Sequence, residues 1–214
     1  MSRATYDQDL AEIRADIIRM GNLALDMVEL AVQSALNDDK DMAGRVADME
    51  ENMDHSEQAL ADKVLLVMVR ESPVAKDLLF LSSTLAVVGE LEKAGDDAAK
   101  LARRSFKLKI EFPDDLKHEL SAMDQQTRSN FRMALQLYTQ YSPDAAHELI
   151  KSDTTVDNQY KASRRKLLDM MVEQPENKRQ LFRCGEIFHA LEHIADHAAN
   201  IARTMNMFYQ KYAG

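Results

Sequence analysis

Tryptophan is absent from this sequence, and cysteine occurs once, as Cys184. A lone cysteine closes no internal disulfide, so a reducing, cytoplasmic compartment is the expectation. The longest aliphatic run is Val64 to Val69, VLLVMV, far short of the roughly 20 apolar residues a membrane-crossing helix needs. The N-terminal stretch MSRATYDQDLAEIRAD carries no apolar segment of the secretion-signal kind. Contact with a membrane is therefore expected to be peripheral only. Basic residues are in deficit, with 27 Lys and Arg against 36 Asp and Glu and a formal net charge of −9. Affinity for a phosphate backbone comes mainly from clustered Lys and Arg, so nucleic acid is not an expected partner.

Aromatics are also few, at 6%, while Met is abundant at 13 residues. A core built from Ala, Leu and Met favours helix-on-helix packing. These residues have high helix propensity, and Met fills irregular gaps between helices. Strand signals, meaning strict alternation of β-branched residues between Asn-Gly or Asp-Gly turns, are missing.

The four prolines, Pro73, Pro113, Pro143 and Pro175, each follow a short polar or charged stretch and precede a helix-favouring run. Proline is tolerated in the first helical turn and harmful further in, so all four read as helix starts. A further break falls in the polar cluster Asn37-Asp38-Asp39-Lys40-Asp41. The punctuation predicts an all-α protein of six long helices, roughly 6–37, 41–71, 74–110, 113–140, 143–173 and 175–212. Short connections between long helices imply antiparallel neighbours.

Residues 91–103, LEKAGDDAAKLAR, and 191–203, LEHIADHAANIAR, agree at seven of thirteen positions. Each copy closes the third helix of a three-helix set, and Glu71-Ser72-Pro73 is echoed by Glu173-Gln174-Pro175. A repeat of this kind means one structural unit used twice. The expected architecture is two tandem antiparallel three-helix bundles, residues 1–111 and 112–214.

Both copies carry two carboxylates four residues apart: Glu92 with Asp96, and Glu192 with Asp196. That spacing puts them on one helix face, where like charges destabilise an isolated helix by a few tenths of a kcal/mol. A cation would compensate, and carboxylate oxygens suit Mg, Mn, Fe or Zn. Gly95 and Ala195 leave room for a neighbouring helix to bring further ligands. Asp48 and Asn52 in the second helix, aligned with Asp153 and Asp157 in the fifth, are the candidates. The competing reading is a solvated acidic face, with Asp96 paired to Lys100 one turn on.

Other motifs stand outside the repeat. His189-Ala190-Leu191-Glu192-His193 fits the inverted zinc-peptidase pattern H-x-x-E-H, but Gly89 and Lys93 replace the histidines in the first copy. Glu186 and His189 make one Glu-x-x-His, whereas a di-iron bundle uses two. His189, His193 and His197 form a ladder that could take zinc or nickel or simply be surface histidines. Arg103, Arg104, Lys107 and Lys109 lie at the end of the third helix, where cations complement the negative terminus. Lys161, Arg164, Arg165 and Lys166 could face an acidic partner or solvent. No Gly-rich phosphate loop, serine elbow or Cys-His pair is present, and no enzymatic activity is expected.

The segment Leu191-Glu192-His193-Ile194-Ala195-Asp196-His197-Ala198-Ala199-Asn200-Ile201-Ala202 resembles the segment that closes each repeat of the PhoU family of phosphate-uptake regulators. It departs at His193, where Arg is usual. The first copy departs at Lys93, Ala94, Asp97 and Lys100. Pro73-Val74-Ala75-Lys76-Asp77-Leu78 and Met20-Gly21 are similar to further family features. The resemblance implies multinuclear metal clusters, iron or zinc, with Glu92, Asp96, Glu192 and Asp196 as ligands. It implies a negative regulator of phosphate-starvation signalling that contacts the phosphate ABC transporter's ATPase and a sensor histidine kinase, commonly as a homodimer. The alternative use of the same carboxylates is metal storage or metal sensing.

Overall fold

The computed structural model describes residues 3–71, 73 and 76–212, and all its long elements are α-helices. They are α1 (Arg3–Asn37), α2 (Lys40–Glu71), α3 (Lys76–Phe106), α4 (Asp114–Thr139), α5 (Pro143–Glu173) and α6 (Lys178–Tyr212). Pro113 is the N-cap residue of α4, Pro143 is the first residue of α5, and Pro175 opens a single 3-10 turn that leads into α6. Val74, Ala75 and Ser72 lie outside the described residues, so the expected start of the third helix at 74 does too. That helix ends at Phe106 rather than 110. Its last carbonyls are taken by a tight turn, with Lys107 N donating to Arg104 O and Leu108 N to Ser105 O, and Lys40 Nζ donates to Ser105 O and to Leu108 O just beyond the helix. The Asn37–Asp39 break is a sharp one. Asp38 adopts a left-handed φ of 52°, a conformation Asp tolerates better than most residues. Asp39 Oδ1 then accepts from the backbone N–H groups of Asp41 and Met42 and caps α2.

The duplication is visible in which residues the helices bury. In α1 and α4, Ile13, Ile17, Met20, Val28 and Ala31 correspond to Leu116, Leu120, Met123, Phe131 and Ala134, all buried and all 103 apart. In α2 and α5 the same spacing relates Ala43, Val46, Met53, Leu60 and Val64 to Ala146, Leu149, Val156, Ser163 and Leu167. In α3 and α6 the spacing is 100, relating Val87, Val88, Leu91, Ala98 and Leu101 to Ile187, Phe188, Leu191, Ala198 and Ile201.

Within each half, the three helices pack on one another. The halves are joined chiefly by α3 lying along α6, and secondarily by α1 against α4. One apolar core therefore runs through both halves, and Leu108 and Phe112 of the connection between α3 and α4 are buried in it. The small residues of the repeat (Ala98, Ala99, Ala102 and their counterparts) are all buried, which lets the closing helices sit deep between their neighbours. No described helix is long and apolar enough to cross a membrane.

Candidate metal centre

Helix α6 runs beside α5, and the polar margin of that contact is acidic. Asp153 and Asp157, one turn apart on α5, face Asp196 on α6, and each of the three offers an oxygen within 4.8 Å of the other two. Glu192 lies one turn before Asp196. Burial raises its pKa, and the charges of Asp196, Asp157 and Asp153 add to the rise, only partly opposed by His193. Asp153 is raised for the same reasons, burial first and Asp196 next. Its Oδ2 accepts from Arg203 Nη2 at 3.0 Å, but its Oδ1 is buried with no hydrogen-bond partner. A buried carboxylate oxygen without a donor is costly. A cation among these oxygens removes that cost, so the donor set fits a hard or borderline metal ion.

The first half builds the corresponding ridge from different residues than the sequence suggested. Arg103 donates to Glu50 at 2.7 and 3.0 Å, as Arg203 does to Asp153. This pairing and the spacing of 103 make Glu50 and Asp54 the counterparts of Asp153 and Asp157. Asp48 and Asn52 are instead equivalent to Lys151 and Thr155, and all four are exposed. The alignment of Asp48 and Asn52 with the fifth-helix acids is thus corrected by two residues, which moves the equivalence to a different face of the helix. The carboxylates that raise Glu92, after burial itself, are Asp96, Glu57 and Asp54. Asp96 is engaged by Lys100 Nζ at 2.9 Å, the local pairing that competes with a metal. Among the described residues, no trio of ligand atoms in this half converges as those of Asp153, Asp157 and Asp196 do.

Residues of the repeated segments also bind the halves to each other. His197 sits between the two closing helices, with Nδ1 2.8 Å from Glu90 Oε2 and Nε2 3.3 Å from Asp97 Oδ2. Asn200 donates to the same Glu90 oxygen at 3.0 Å, and Lys100 donates to Asp97 at 2.8 Å. Burial alone would raise Asp97, but its hydrogen bonds from His197 and Lys100 prevail and hold it at about 2. Burial likewise works against the charged form of His197, yet Asp97 and Glu90 raise its pKa. Sequence inspection missed Glu90, whose counterpart is Ala190; nothing in the repeat marks it.

The histidine ladder divides in this arrangement. His197 belongs to the interface, while His189 and His193 converge with Glu192 on the outer face of α6. The basic clusters are partly consumed by ion pairs. Arg104 pairs with Glu186 and Lys166 with Glu119, linking helices rather than presenting free charge.

Duplicated three-helix units with an acidic margin on each closing helix define an all-α repeat protein rather than a ferritin-like four-helix bundle. The PhoU domain matches the chain twice, over residues 17–105 and 120–205, and the chain belongs to the PhoU family. A phosphate-specific transport system accessory protein PhoU homolog of Pseudomonas putida is 29% identical over 198 residues, covering 92% of this chain and 77% of the relative. A homolog of the same description from Xylella fastidiosa (strain Temecula1) is 31% identical over 201 residues, covering 94% of this chain and 83% of its own length. The crystal structure of PhoU from Pseudomonas aeruginosa superposes with a TM-score of 0.91 at 27% identity, over 96% of this chain and 99% of that one. That of the phosphate transport system regulatory protein PhoU from Streptococcus pneumoniae, at 22% identity and a TM-score of 0.88, shares the fold. The relatives in Pseudomonas putida and Xylella fastidiosa are thus described as accessory proteins of a phosphate-specific transport system.

Proposed function

We propose that this chain is an accessory regulator of phosphate transport that represses phosphate-starvation signalling through protein contacts and carries metal in its acidic margins. The regulatory reading rests on the PhoU domain matched in both halves and on relatives described as phosphate transport accessory proteins. In this reading the phosphate ABC transporter's ATPase and a sensor histidine kinase are the partners, and a peripheral homodimer is the working form. The two units are residues 1–111 and 112–214, each contributing one acidic margin.

The metal reading is supported by the unpartnered Asp153 Oδ1 amid three further carboxylates. Asp153, Asp157, Glu192 and Asp196 would hold the ion in the second half, iron or zinc by the family's pattern. Glu92 and Asp96 would do so in the first half, with Asp54 and Glu57 beside them and without Asp48. The bound ion would neutralise the margin and tie α5 to α6. Metal storage as the primary role has no separate observation in its favour.

Deletion of the gene tests the regulatory role. Derepression of phosphate-uptake genes in phosphate-rich medium is the expected outcome, and normal repression would refute the proposal. Elemental analysis of the purified protein tests the ligands. Asp153→Asn with Asp157→Asn is expected to lower bound metal while leaving helicity unchanged, and undiminished metal would count against this ligand set.

A further inference from the structure

The His189–Glu192–His193 cluster is not part of the duplicated design. Its counterparts in the first half are Gly89, Glu92 and Lys93, so only the carboxylate recurs. The two imidazoles are an addition to the second half, and the acidic margin does not require them.

Helix geometry places them together. Residues four apart share a helix face, and residue 192 lies three after the first histidine on the same side. The ring centroids of His189 and His193 are 4.1 Å apart and tilted by 56°. Each of the three side chains offers a ligand atom within 4.8 Å of the other two. His193 Nε2 is 3.7 Å from Glu192 Oε2, while its other ring nitrogen, Nδ1, is 3.7 Å from Asp97 Oδ2 on α3. Asp97 is thus the carboxylate nearest the second ring nitrogen of His193, the kind of group that orients a metal-binding imidazole once the two close from 3.7 Å to hydrogen-bond distance. His189 is held from the other side by the ring of Tyr160 on α5, 5.5 Å away.

We infer that His189, Glu192 and His193 form a zinc-class metal site, separate in donor chemistry from the all-carboxylate margin beside it and sharing only Glu192 with it. Imidazole nitrogen selects zinc, copper or nickel over magnesium or calcium, whereas the Asp153–Asp157–Asp196 group offers oxygen alone. Two histidines and one glutamate leave a tetrahedral ion with one position for an outside ligand. His189 also lines a cavity of about 290 Å³ between α5 and α6, together with Tyr160, Arg164 and Phe182. The cavity meets the cluster at His189, where it leaves room for a small outside ligand. The inference does not depend on metal in the acidic margin.

The test is Zn²⁺ titration of the chelator-treated full-length protein against a chromophoric competitor, with ¹⁵N NMR of the histidine side chains. Zn²⁺ is expected to shift the imidazole nitrogens of His189 and His193 but leave those of His55, His118 and His147 in place. His189→Gln with His193→Lys is expected to abolish one zinc equivalent, or weaken it by more than about tenfold, the lower end of the loss caused by removing even a supporting group. Asp153→Asn with Asp157→Asn, which leaves both histidines intact, is expected to retain that equivalent. Unmoved imidazole signals at saturating Zn²⁺ would overturn the site, as would unchanged affinity and stoichiometry in the histidine variant. Retention of zinc by the histidine variant together with its loss from the aspartate variant would assign all binding to the acidic margin and sink this site alone.

Discussion

Asp97 and His197 occupy the same position in the two repeats, 100 residues apart, and they touch: His197 Nε2 lies 3.3 Å from Asp97 Oδ2. Where two copies of one helix pack about a shared axis, equivalent residues meet each other. Two identical charges there would repel. The divergence of this position to Asp in one copy and His in the other turns a conflict into an ion pair, which Glu90 and Lys100 extend. His197→Asp would set two carboxylates and Glu90 in one partly buried space. Breaking a buried pair while leaving its partner costs roughly 3–5 kcal/mol, and the pair here is not wholly buried, so a loss of about 2–4 kcal/mol is expected by urea denaturation. A loss below about 0.5 kcal/mol would mean the contact does not couple the halves. In chelator-treated protein, the Asp97 contribution is full above its ordinary value of 3.8 and is lost as pH falls toward about 2. The His197 contribution is full below its ordinary value of 6.5 and is lost as pH rises past its higher folded value. The wild-type advantage over His197→Ala should therefore be greatest between those two ordinary values.

The acidic margin of the second half carries a like-charge repulsion that a bound cation would relieve. Without metal, Asp196 raises the pKa of both Asp153 and Glu192 by like-charge repulsion, behind burial itself. Removing that charge relieves the repulsion. Asp196→Asn is expected to stabilise the chelator-treated chain by about 0.5–1 kcal/mol, which for a chain of this length is roughly 1–4 °C in melting temperature. The same substitution should reduce the further rise that added metal gives the wild type. Thermal melts with and without metal decide it. A variant less stable than wild type without metal, or equally stabilised by metal, would remove the case for a ligand role.

The fold was legible because helix punctuation and core composition agree. Prolines and the Asn37–Asp39 cluster mark ends, and the repeat of 91–103 in 191–203 states that the third helices are equivalent. The acidic pairs on those helices could be read because they lie inside the repeat. Their partners on the second and fifth helices could not. Glu50 differs in type from its counterpart Asp153, only Asp54 is repeated as Asp157, and the offset changes from 103 in the first two helices to 100 in the third. Only the burial pattern and the two arginine pairs, Arg103–Glu50 and Arg203–Asp153, fix that register. The interface role of His197 was invisible for a related reason. It depends on Glu90, whose counterpart in the other copy is the apolar Ala190, and on two helices meeting that are far apart in the chain.

Cys184 stands where the first half has Thr84, whose hydroxyl is 2.9 Å from that of Tyr138. The cysteine is fully buried, and burial pushes its thiol up to about 12. The thiolate is the reactive form, so at pH 8 the native chain presents almost none of it and no access to it. Alkylation by iodoacetamide is expected to be slow in the folded protein and fast in denaturant, giving a label for global opening. Native labelling as fast as that of the denatured chain would show that α6 opens on its own.

Gly21 marks a close approach between α1 and α4. A Cβ built there would lie 2.7 Å from Leu135 Cδ1 and 3.0 Å from its Cγ, with α4 backed by the core. Those atoms cannot retreat without moving a buried leucine, so Gly21→Ala is expected to cost about 1–3 kcal/mol through overpacking, despite alanine's better helix propensity. Gly89 provides the contrast. It lies within α3 with nothing inside 4 Å of its added Cβ, so Gly89→Ala should stabilise by roughly 0.5–1 kcal/mol. Leu135→Ala leaves space for the new methyl group, so the double variant with Gly21→Ala should lose less than the sum of the two single losses. Chemical denaturation of all four proteins reads the signs directly. If Gly21→Ala and Gly89→Ala shift stability in the same direction, α1 and α4 do not meet as closely as this packing requires, and the second contact joining the halves is looser than the first.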